Sequence, residues 1–145
     1  MTKVGIIGTG MLGEAVGLHL LNSNYTVTVF NRTKDKTEKL VNAGATLAES
    51  PKEVAENSDL VITVVRDADA VSDVAFGENG IISGKHDGLV IADMSTINPN
   101  SAKEISQKFE SSGVEFLEIP VMGGPNVAID GKLVMMVSGK KEIFE

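Results

Sequence analysis

The chain has 145 residues, of which 42% are hydrophobic and 23% charged, as is typical of one globular domain. Its net charge of −7 argues against nucleic acid or an anionic membrane as a partner, because both attract basic surfaces. The absence of cysteine excludes disulfides, no apolar run approaches a membrane span, and Met1 leads directly into a predicted strand, so we expect a cytoplasmic protein without a signal peptide.

The chain opens with a predicted strand, a glycine-rich loop and a helix. Lys3–Ile7 is a short apolar run of the kind that forms a buried parallel strand, and apolar residues recur at helical spacing from Met11 to about Leu21. Between them lies a GxGxxG spacing, in the context where free N–H groups of a helix N-terminus bind a pyrophosphate. The predicted phosphate loop consists of Gly8, Thr9, Gly10, Met11, Leu12 and Gly13. The alternative is a glycine turn with a structural role alone.

The residues after the second predicted strand, Thr26–Phe30, indicate which dinucleotide binds. NAD-binding domains place Asp or Glu there to bond the ribose 2′-hydroxyl, whereas this chain has Asn31, Arg32 and Thr33. An arginine can pair with a 2′-phosphate through two parallel hydrogen bonds, so NADP is favoured over NAD. The alternative is that Arg32 is an ordinary surface charge, with Asp35 close enough to offset it.

The remaining elements alternate between helices and strands. Helices are predicted at 34–43, 51–57, 68–76 and 99–112, with Ser50 and Asn98 as the N-caps of the second and the fourth. Strands are predicted at 45–47, 59–65, 89–92, 114–119 and 133–138, with loops at 77–84 and 120–125. This order predicts an α/β fold, a doubly wound, mostly parallel sheet of the Rossmann type that forms a single domain over residues 1–145. Ligands of such sheets lie beyond the carboxyl ends of the strands.

Four segments together resemble the β-hydroxyacid dehydrogenase family. They are the glycine loop with Met11, the residues 31–33, DMSTINP at 93–99 and PVMGGPNVAIDGKL at 120–133. This family contains 3-hydroxyisobutyrate dehydrogenase and the glyoxylate and succinic semialdehyde reductases, with 6-phosphogluconate dehydrogenases and imine reductases as relatives. The resemblance covers essentially the whole chain. It implies hydride transfer between NADP(H) and a small β-hydroxy acid or semialdehyde, which is the small-molecule partner that we expect.

The resemblance also implies roles for individual positions. In the cofactor site, the 2′-phosphate would contact Asn31, Arg32 and Thr33, and the nicotinamide side would contact Val65, Arg66 and Thr96. The substrate would contact Ser95, Met122, Gly123 and Gly124, the two glycines through their backbone N–H groups. Arg66 and Met122 depart from the family, which usually has a Leu-Pro pair at 65–66 and a serine at 122. Met122 is more similar to the residue of the imine reductases.

The family's catalytic lysine lies in a helical domain that follows this one. The resemblance therefore implies that this chain is the cofactor-binding half of an enzyme that is a homo-oligomer at full length, and that this half alone is inactive. Lys132, Lys140 and Lys141 do not match the catalytic position. Two alternatives remain: a non-catalytic nucleotide-sensing module, and a reductase of an imine or bulkier carbonyl. His19 and His86 are expected to be structural, and no residues have the spacing of a metal site.

Overall fold

The computed structural model describes residues 2–145 and is organised around one parallel sheet. The strands of this sheet are β1 (Lys3–Ile7), β2 (Thr26–Phe30), β3 (Thr46–Leu47), β4 (Leu60–Thr63), β5 (Val90–Asp93) and β6 (Glu115–Glu118). They lie in the order β3-β2-β1-β4-β5-β6 and every pairing is parallel. The chain therefore has the predicted doubly wound fold. The strand order reverses direction between β1 and β4, where ligands of such sheets bind.

Helices connect the strands on both faces. They are α1 (Met11–Asn22), α2 (Glu38–Asn42), α3 (Pro51–Glu56), α4 (Ala68–Phe76) and α5 (Pro99–Ser111), with 3₁₀ turns at Lys34–Thr37 and Ile81–Gly84. The predicted caps are present: Ser50 Oγ accepts from the Glu53 N–H at 3.2 Å, and Asn98 Oδ1 accepts from the Ser101 N–H at 2.9 Å. Within residues 2–145, no helix combines the length and apolar character that a membrane crossing needs.

The core lies on both sides of the sheet because the central strands bury alternate side chains on opposite faces. In β1, Ile7 packs in the cluster that contains Phe109 of α5, whereas Ile6 packs in the cluster that contains Leu40 of α2. All four side chains are essentially inaccessible to solvent. The phosphate loop therefore starts from a strand that is fixed from both faces.

Two predicted elements near the site are shorter than the sequence pattern indicates. The helix predicted at 34–43 divides into a 3₁₀ turn and α2, because the Lys34 and Lys36 carbonyls accept hydrogen bonds from the hydroxyls of Thr37 and Thr9. The strand predicted at 59–65 ends at Thr63, since the Val65 N–H donates to the Ser95 hydroxyl. The 3₁₀ turn at Ile81–Gly84 lies in a segment that was predicted to be a loop.

The prediction for the last part of the chain was wrong in three respects. A strand β7 (Val121–Met122) occupies the predicted loop, and a helix α6 (Pro125–Ile129) follows it. The strand predicted at 133–138 is reduced to β8 (Val134–Met135), which pairs with β7 in an antiparallel two-stranded sheet. Its predicted end reaches the main sheet only at Ser138, which forms an antiparallel bridge with Glu118 of β6. A last short helix is α7 (Lys141–Phe144). Pro125 starts α6 at the position where proline suits a helix.

Candidate cofactor-binding site

The glycine loop connects β1 to α1 in very little space. Gly8 has a φ of +101°, which favours glycine, and its N–H donates to the Phe30 carbonyl at 3.0 Å. A Cβ added to Gly8 would collide with the Val64 carbonyl oxygen, and one added to Gly13 would collide with the Gly8 carbonyl oxygen. The close packing of β1, β4 and α1 therefore requires glycine at both positions.

The N-terminus of α1 is open. No side chain caps this helix, and a Cβ on Gly10 would meet no atom within 4 Å. Among the described residues, the N–H groups of residues 10–13 have no hydrogen-bond acceptor, and the first bond of the helix is from the Glu14 N–H to the Gly10 carbonyl at 2.9 Å. Free N–H groups, the positive end of the helix dipole and open space together form a site for an anion.

Thr9 lies inside the glycine loop and is only 2% exposed. Its N–H donates to Asn31 Oδ1 at 3.0 Å, and its hydroxyl donates to the Lys36 carbonyl at 2.9 Å. The Asn31 amide nitrogen in turn donates to the Thr33 carbonyl at 2.9 Å. The polar side-chain atoms of Thr9 and Asn31, two residues predicted to contact the cofactor, are thus used to join the two loops.

The loop after β2 carries three basic residues in different environments. Lys34 pairs with Glu49 at 3.3 Å, whereas Arg32 and Lys36 form no ion pair with any residue in the described range, Asp35 included. Arg32, Thr33 and Lys36 are exposed. Lys36 was not among the predicted site residues, although its place in the basic run 32–36 was a signal that could have found it. Two cations without ion-pair partners therefore lie beside the phosphate loop.

A buried polar cluster joins the carboxyl ends of β4 and β5. Asp93 is 2% exposed, and its Oδ1 accepts from the Thr63 hydroxyl at 2.7 Å and from the Ser95 N–H at 3.2 Å. The Ser95 hydroxyl accepts from the Val65 N–H at 2.9 Å and is itself buried. Burial raises the pKa of the Asp93 carboxyl, although the hydrogen bonds from Thr63 and Ser95 lower it in part. Ser95, predicted to contact substrate, here holds the two loops together.

The other residues predicted on the nicotinamide side are more accessible. Thr96 is exposed, and its hydroxyl has no partner in the part of the chain that the structure describes. Val65 is half-buried, and Arg66 Nε donates to Asp67 Oδ2 at 3.0 Å on the surface. The Ala70 N–H, and secondarily Arg66, lower the pKa of Asp67, which caps α4. Thr96 therefore offers the free hydroxyl at this end of the site.

The predicted substrate residues lie just beyond the sheet edge. The Ile119 N–H donates to the Asp93 carbonyl at 2.8 Å, so the segment that leads to β7 starts beside the buried cluster. Met122 is 61% exposed, and Gly123 has a φ of +123°. Neither Gly123 nor Gly124 donates its N–H to another residue of the described chain, so both remain available to a ligand.

The two histidines contact backbone carbonyls away from these loops. His19 Nδ1 lies 3.0 Å from the Ile129 carbonyl, which joins α1 to α6. His86 Nε2 lies 2.9 Å from the Ser58 carbonyl. Across residues 2–145, no group of three or more His, Cys, Asp or Glu side chains is arranged to hold a metal ion.

The arrangement can be compared with known proteins. Residues 3–145 match the family model described as the NAD binding domain of 6-phosphogluconate dehydrogenase. The chain belongs to this family. The predicted resemblance is thereby confirmed, and the open site at the start of α1 is part of an NAD(P)-binding domain from the 6-phosphogluconate dehydrogenase family of oxidoreductases.

Two curated relatives show how far the similarity extends. The uncharacterized oxidoreductase YkwC of Bacillus subtilis is 37% identical over 142 residues, which are 98% of this chain and 49% of that protein. The chloroplastic glyoxylate/succinic semialdehyde reductase 2 of Arabidopsis thaliana is 37% identical over 143 residues, which are 99% of this chain and 40% of that protein. The chain thus spans half or less of the length of these family members.

Solved structures share the fold. Psf3 in complex with NADP+ and 2-OPP aligns with a TM-score of 0.92 and 31% identity over 97% of this chain and 50% of that chain. A 3-hydroxyisobutyrate dehydrogenase from Salmonella typhimurium aligns with a TM-score of 0.91 and 27% identity over 99% of this chain and 50% of that chain. A variant imine reductase from Myxococcus stipitatus in complex with NAD+ aligns with a TM-score of 0.90 and 26% identity over 99% of this chain and 49% of that chain. Because NADP+ and NAD+ complexes both occur among these similar structures, the choice between the two cofactors depends on the residues of this chain.

Proposed function

We propose that this chain binds NADP(H) in an oxidoreductase that transfers a hydride between that cofactor and a small β-hydroxy acid or semialdehyde. The proposal rests on the free groups at the ends of β1 and β2. The unbonded N–H groups of residues 10–13 suit a pyrophosphate, and the unpaired cations Arg32 and Lys36 on the adjacent loop suit a further phosphate. The conclusion is a site for three phosphates rather than two.

The charge distribution supports NADP over NAD. The chain carries a net charge of −7, so a site for a polyanion needs cations that are not neutralised by neighbours. Arg32 and Lys36 meet that condition, whereas Lys34 is neutralised by Glu49. The position after β2 that would hold a carboxylate for a ribose 2′-hydroxyl is occupied by Asn31, and its amide bonds Thr9 and Thr33.

The nicotinamide ring supplies the hydride chemistry when the cofactor is bound. We propose that the Thr96 hydroxyl and Val65 orient its carboxamide and ribose, while the Asp93 cluster fixes the loops that carry them. The N–H groups of Gly123 and Gly124 would receive a substrate carboxylate. The loops at 8–13, 64–66, 95–96 and 122–124 contain no lysine or histidine, so we expect the acid–base group to come from outside this chain.

On this proposal the chain alone binds cofactor without turnover. The whole protein would act in the cytoplasm as a homo-oligomer, two extensions that follow from the sequence pattern and the family. An assay with glyoxylate and succinic semialdehyde on the isolated chain and on the full-length protein tests the first point. Turnover by the isolated chain would show that the acid–base group is already present.

The cofactor proposal is tested by titrating the purified chain with NADPH and NADH in a calorimeter. We expect tighter binding of NADPH, because only NADPH carries the 2′-phosphate. Arg32→Ala should weaken NADPH by roughly tenfold or more and leave NADH nearly unchanged, since a charged hydrogen-bonded pair is lost. Lys34→Ala is the matched control, because it removes an equal charge that Glu49 already neutralises. Tighter binding of NADH than of NADPH, or no detectable binding of either nucleotide, would overturn the proposal.

Met122 favours a second candidate substrate class, an imine or a bulkier carbonyl compound. Its side chain is 61% exposed beside the Gly123 and Gly124 amides, where the family pattern has a serine that would bond a hydroxyl or carboxylate. An apolar group there lowers the advantage of a small polar acid. Met122→Ser in the full-length protein should raise kcat/KM for hydroxy acids and lower it for cyclic imines. An unchanged ratio would remove this candidate.

A further inference from the structure

We propose that Thr9 determines the preference for the 2′-phosphate without contacting it, by fastening the loop after β2 to the glycine loop. This inference rests on the proposed NADP function and adds a positioning residue to it. Thr9 was predicted to be a cofactor contact, but its hydroxyl is buried and bonded to the protein.

Three hydrogen bonds connect the two loops. The Gly8 N–H donates to the Phe30 carbonyl at 3.0 Å, and the Thr9 N–H donates to Asn31 Oδ1 at 3.0 Å. The third bond, from the Thr9 hydroxyl to the Lys36 carbonyl at 2.9 Å, reaches furthest along the second loop. The other two bonds end at residues 30 and 31, so among these bonds only the one from the Thr9 hydroxyl ties the far end of the second loop to the phosphate loop. It acts beside the packing of Thr37 and Leu40, which are buried.

The fastened segment carries the cations that a 2′-phosphate needs. Arg32 and Lys36 stand at the two ends of the segment, and the bonds from the Lys36 N–H to the Thr33 carbonyl at 3.1 Å and from the Thr37 hydroxyl to the Lys34 carbonyl keep it compact. These bonds are internal to the segment. Its connections to more distant parts of the chain include the exposed ion pair of Lys34 with Glu49 at 3.3 Å and the bond from the Thr9 hydroxyl to the Lys36 carbonyl. A ligand that needs both cations pays less conformational entropy when the segment is already held in place.

Removing the hydroxyl should affect the two nucleotides differently. Valine has the shape of threonine without the donor, so Thr9→Val leaves the Lys36 carbonyl without its partner. The N–H groups of residues 10–13 stay in place because α1, through the bond from Glu14 to Gly10, and the bond from Gly8 to Phe30 do not depend on the Thr9 side chain. NADH lacks the 2′-phosphate and so has no group for Arg32 and Lys36 to pair with, whereas NADPH depends on where the second loop holds those cations.

The experiment measures the ratio of the Kd for NADH to the Kd for NADPH by calorimetry. We expect Thr9→Val to lower this ratio roughly three- to tenfold, the usual effect of one hydrogen bond, and Thr9→Ser to restore it. Thr28→Val is the matched control, because it removes another buried threonine hydroxyl from the middle of β2. Binding of 2′,5′-ADP and 5′-AMP should show the same difference.

Each outcome decides a different point. Equal weakening of NADPH and NADH by Thr9→Val, or no weakening of either, would overturn the role of Thr9 while a wild-type preference for NADPH left the proposed function intact. No preference for NADPH in the wild type would instead overturn the proposed function. Circular dichroism reports whether Thr9→Val is folded. If it is not folded, Thr9→Ala removes the same hydrogen bond with a smaller side chain. The same decrease in the ratio of the Kd for NADH to the Kd for NADPH is expected for that variant.

Discussion

The carboxyl edge of the sheet holds two polar regions that use their hydrogen-bonding groups in opposite ways. At the ends of β1 and β2, the N–H groups of residues 10–13 and the cations of Arg32 and Lys36 are left free of protein partners in the described chain. At the ends of β4 and β5, Thr63, Asp93 and Ser95 are buried and bonded to one another. The first region is ready for a ligand, whereas the second is a rigid support for the loops above it.

On the proposed function, this difference separates the groups that would contact the cofactor from the groups that hold the surrounding loops in place. A free, exposed polar group costs the fold nothing when it is removed but reduces affinity, whereas a buried and satisfied group reduces stability when it is removed. Variants of both regions should therefore move two measurements independently: the free energy of unfolding and the Kd for NADPH.

The largest effect on stability is expected from Gly13→Ala. The added Cβ collides with the Gly8 carbonyl oxygen, so the free energy of unfolding should fall by about 3 kcal/mol or more. Gly10→Ala is the matched control, because open space surrounds this position and its φ of −67° suits alanine. It should stay within about 1 kcal/mol of wild type but bind NADPH more weakly. Urea denaturation and calorimetry measure the two quantities; equal stability of the two variants would contradict the packing described.

The next largest effect is expected from Asp93→Ala, which leaves the Thr63 hydroxyl and the Ser95 N–H without an acceptor. The loss should be about 2 kcal/mol. Asp93→Asn keeps an oxygen in the same place and should lose much less at neutral pH. A similar loss in both variants would show that the negative charge, and not the hydrogen-bond acceptor, is what the cluster requires.

The same variant has a pH signature. Because burial raises the pKa of Asp93 above 3.8, the stability gained by protonation is complete below that value and is lost as pH rises through the raised pKa of the folded state. Asp93→Asn should abolish this loss. Glu118, whose pKa is raised by burial and then by Asp93, should leave a residual dependence of the same sign. Denaturation at a series of pH values measures both.

Ser95 and Thr96 give a sharper test, since they are neighbours of which one hydroxyl is bonded within the protein and the other is free in the described chain. Ser95→Ala removes the acceptor of the partly buried Val65 N–H and should cost about 1 kcal/mol of stability. Thr96→Val should change stability by less than about 0.5 kcal/mol, because its hydroxyl is exposed, and should weaken NADPH binding instead. The reverse result would exchange the roles of the two residues.

The smallest effect is expected at His86, far from the loops. Its Nδ1 lies 3.1 Å from the Asp87 carbonyl and its Nε2 2.9 Å from the Ser58 carbonyl, so only the protonated ring can donate to both. The Asp87 carbonyl, and then those of Ser58 and Ala55, raise the pKa of His86 above 6.5 against the opposing effect of burial. The stability that this provides is complete below pH 6.5 and is lost as pH rises through the raised pKa. His86→Gln should remove the pH dependence of the unfolding midpoint over this range. A wild-type midpoint that does not change with pH would exclude the effect.

The sequence was sufficient for the features that depend on local pattern. The strand–glycine–helix unit at 3–22 and the caps at Ser50 and Asn98 follow from short-range rules and occur where they were predicted. The pairing of β7 with β8 does not follow from short-range rules. Each of these strands has two residues, and the segment that joins them contains Gly123, Gly124 and Pro125. Those residues favour a loop unless a distant partner is known.

The sequence could not separate contacts from supports within the site. Thr9 and Ser95 are small hydroxyl residues in loops that bind ligands, so a cofactor or substrate role was the natural prediction. Their actual partners, the Lys36 carbonyl and the Val65 N–H, lie 27 and 30 residues away along the chain. Only the register of the folded sheet shows that these hydroxyls are already engaged.

The separate two-stranded sheet has an evolutionary consequence. Because β7 and β8 pair with each other and not with the parallel strands, substitutions within these two strands need not change the register of β1, β2 and β4. Substitutions in α6 differ, because the Ile129 carbonyl contacts His19 of α1 at 3.0 Å. If these strands contact substrate as proposed, a change of substrate range requires only substitutions in β7 and β8 and leaves the parallel sheet that carries the nucleotide-binding loops intact.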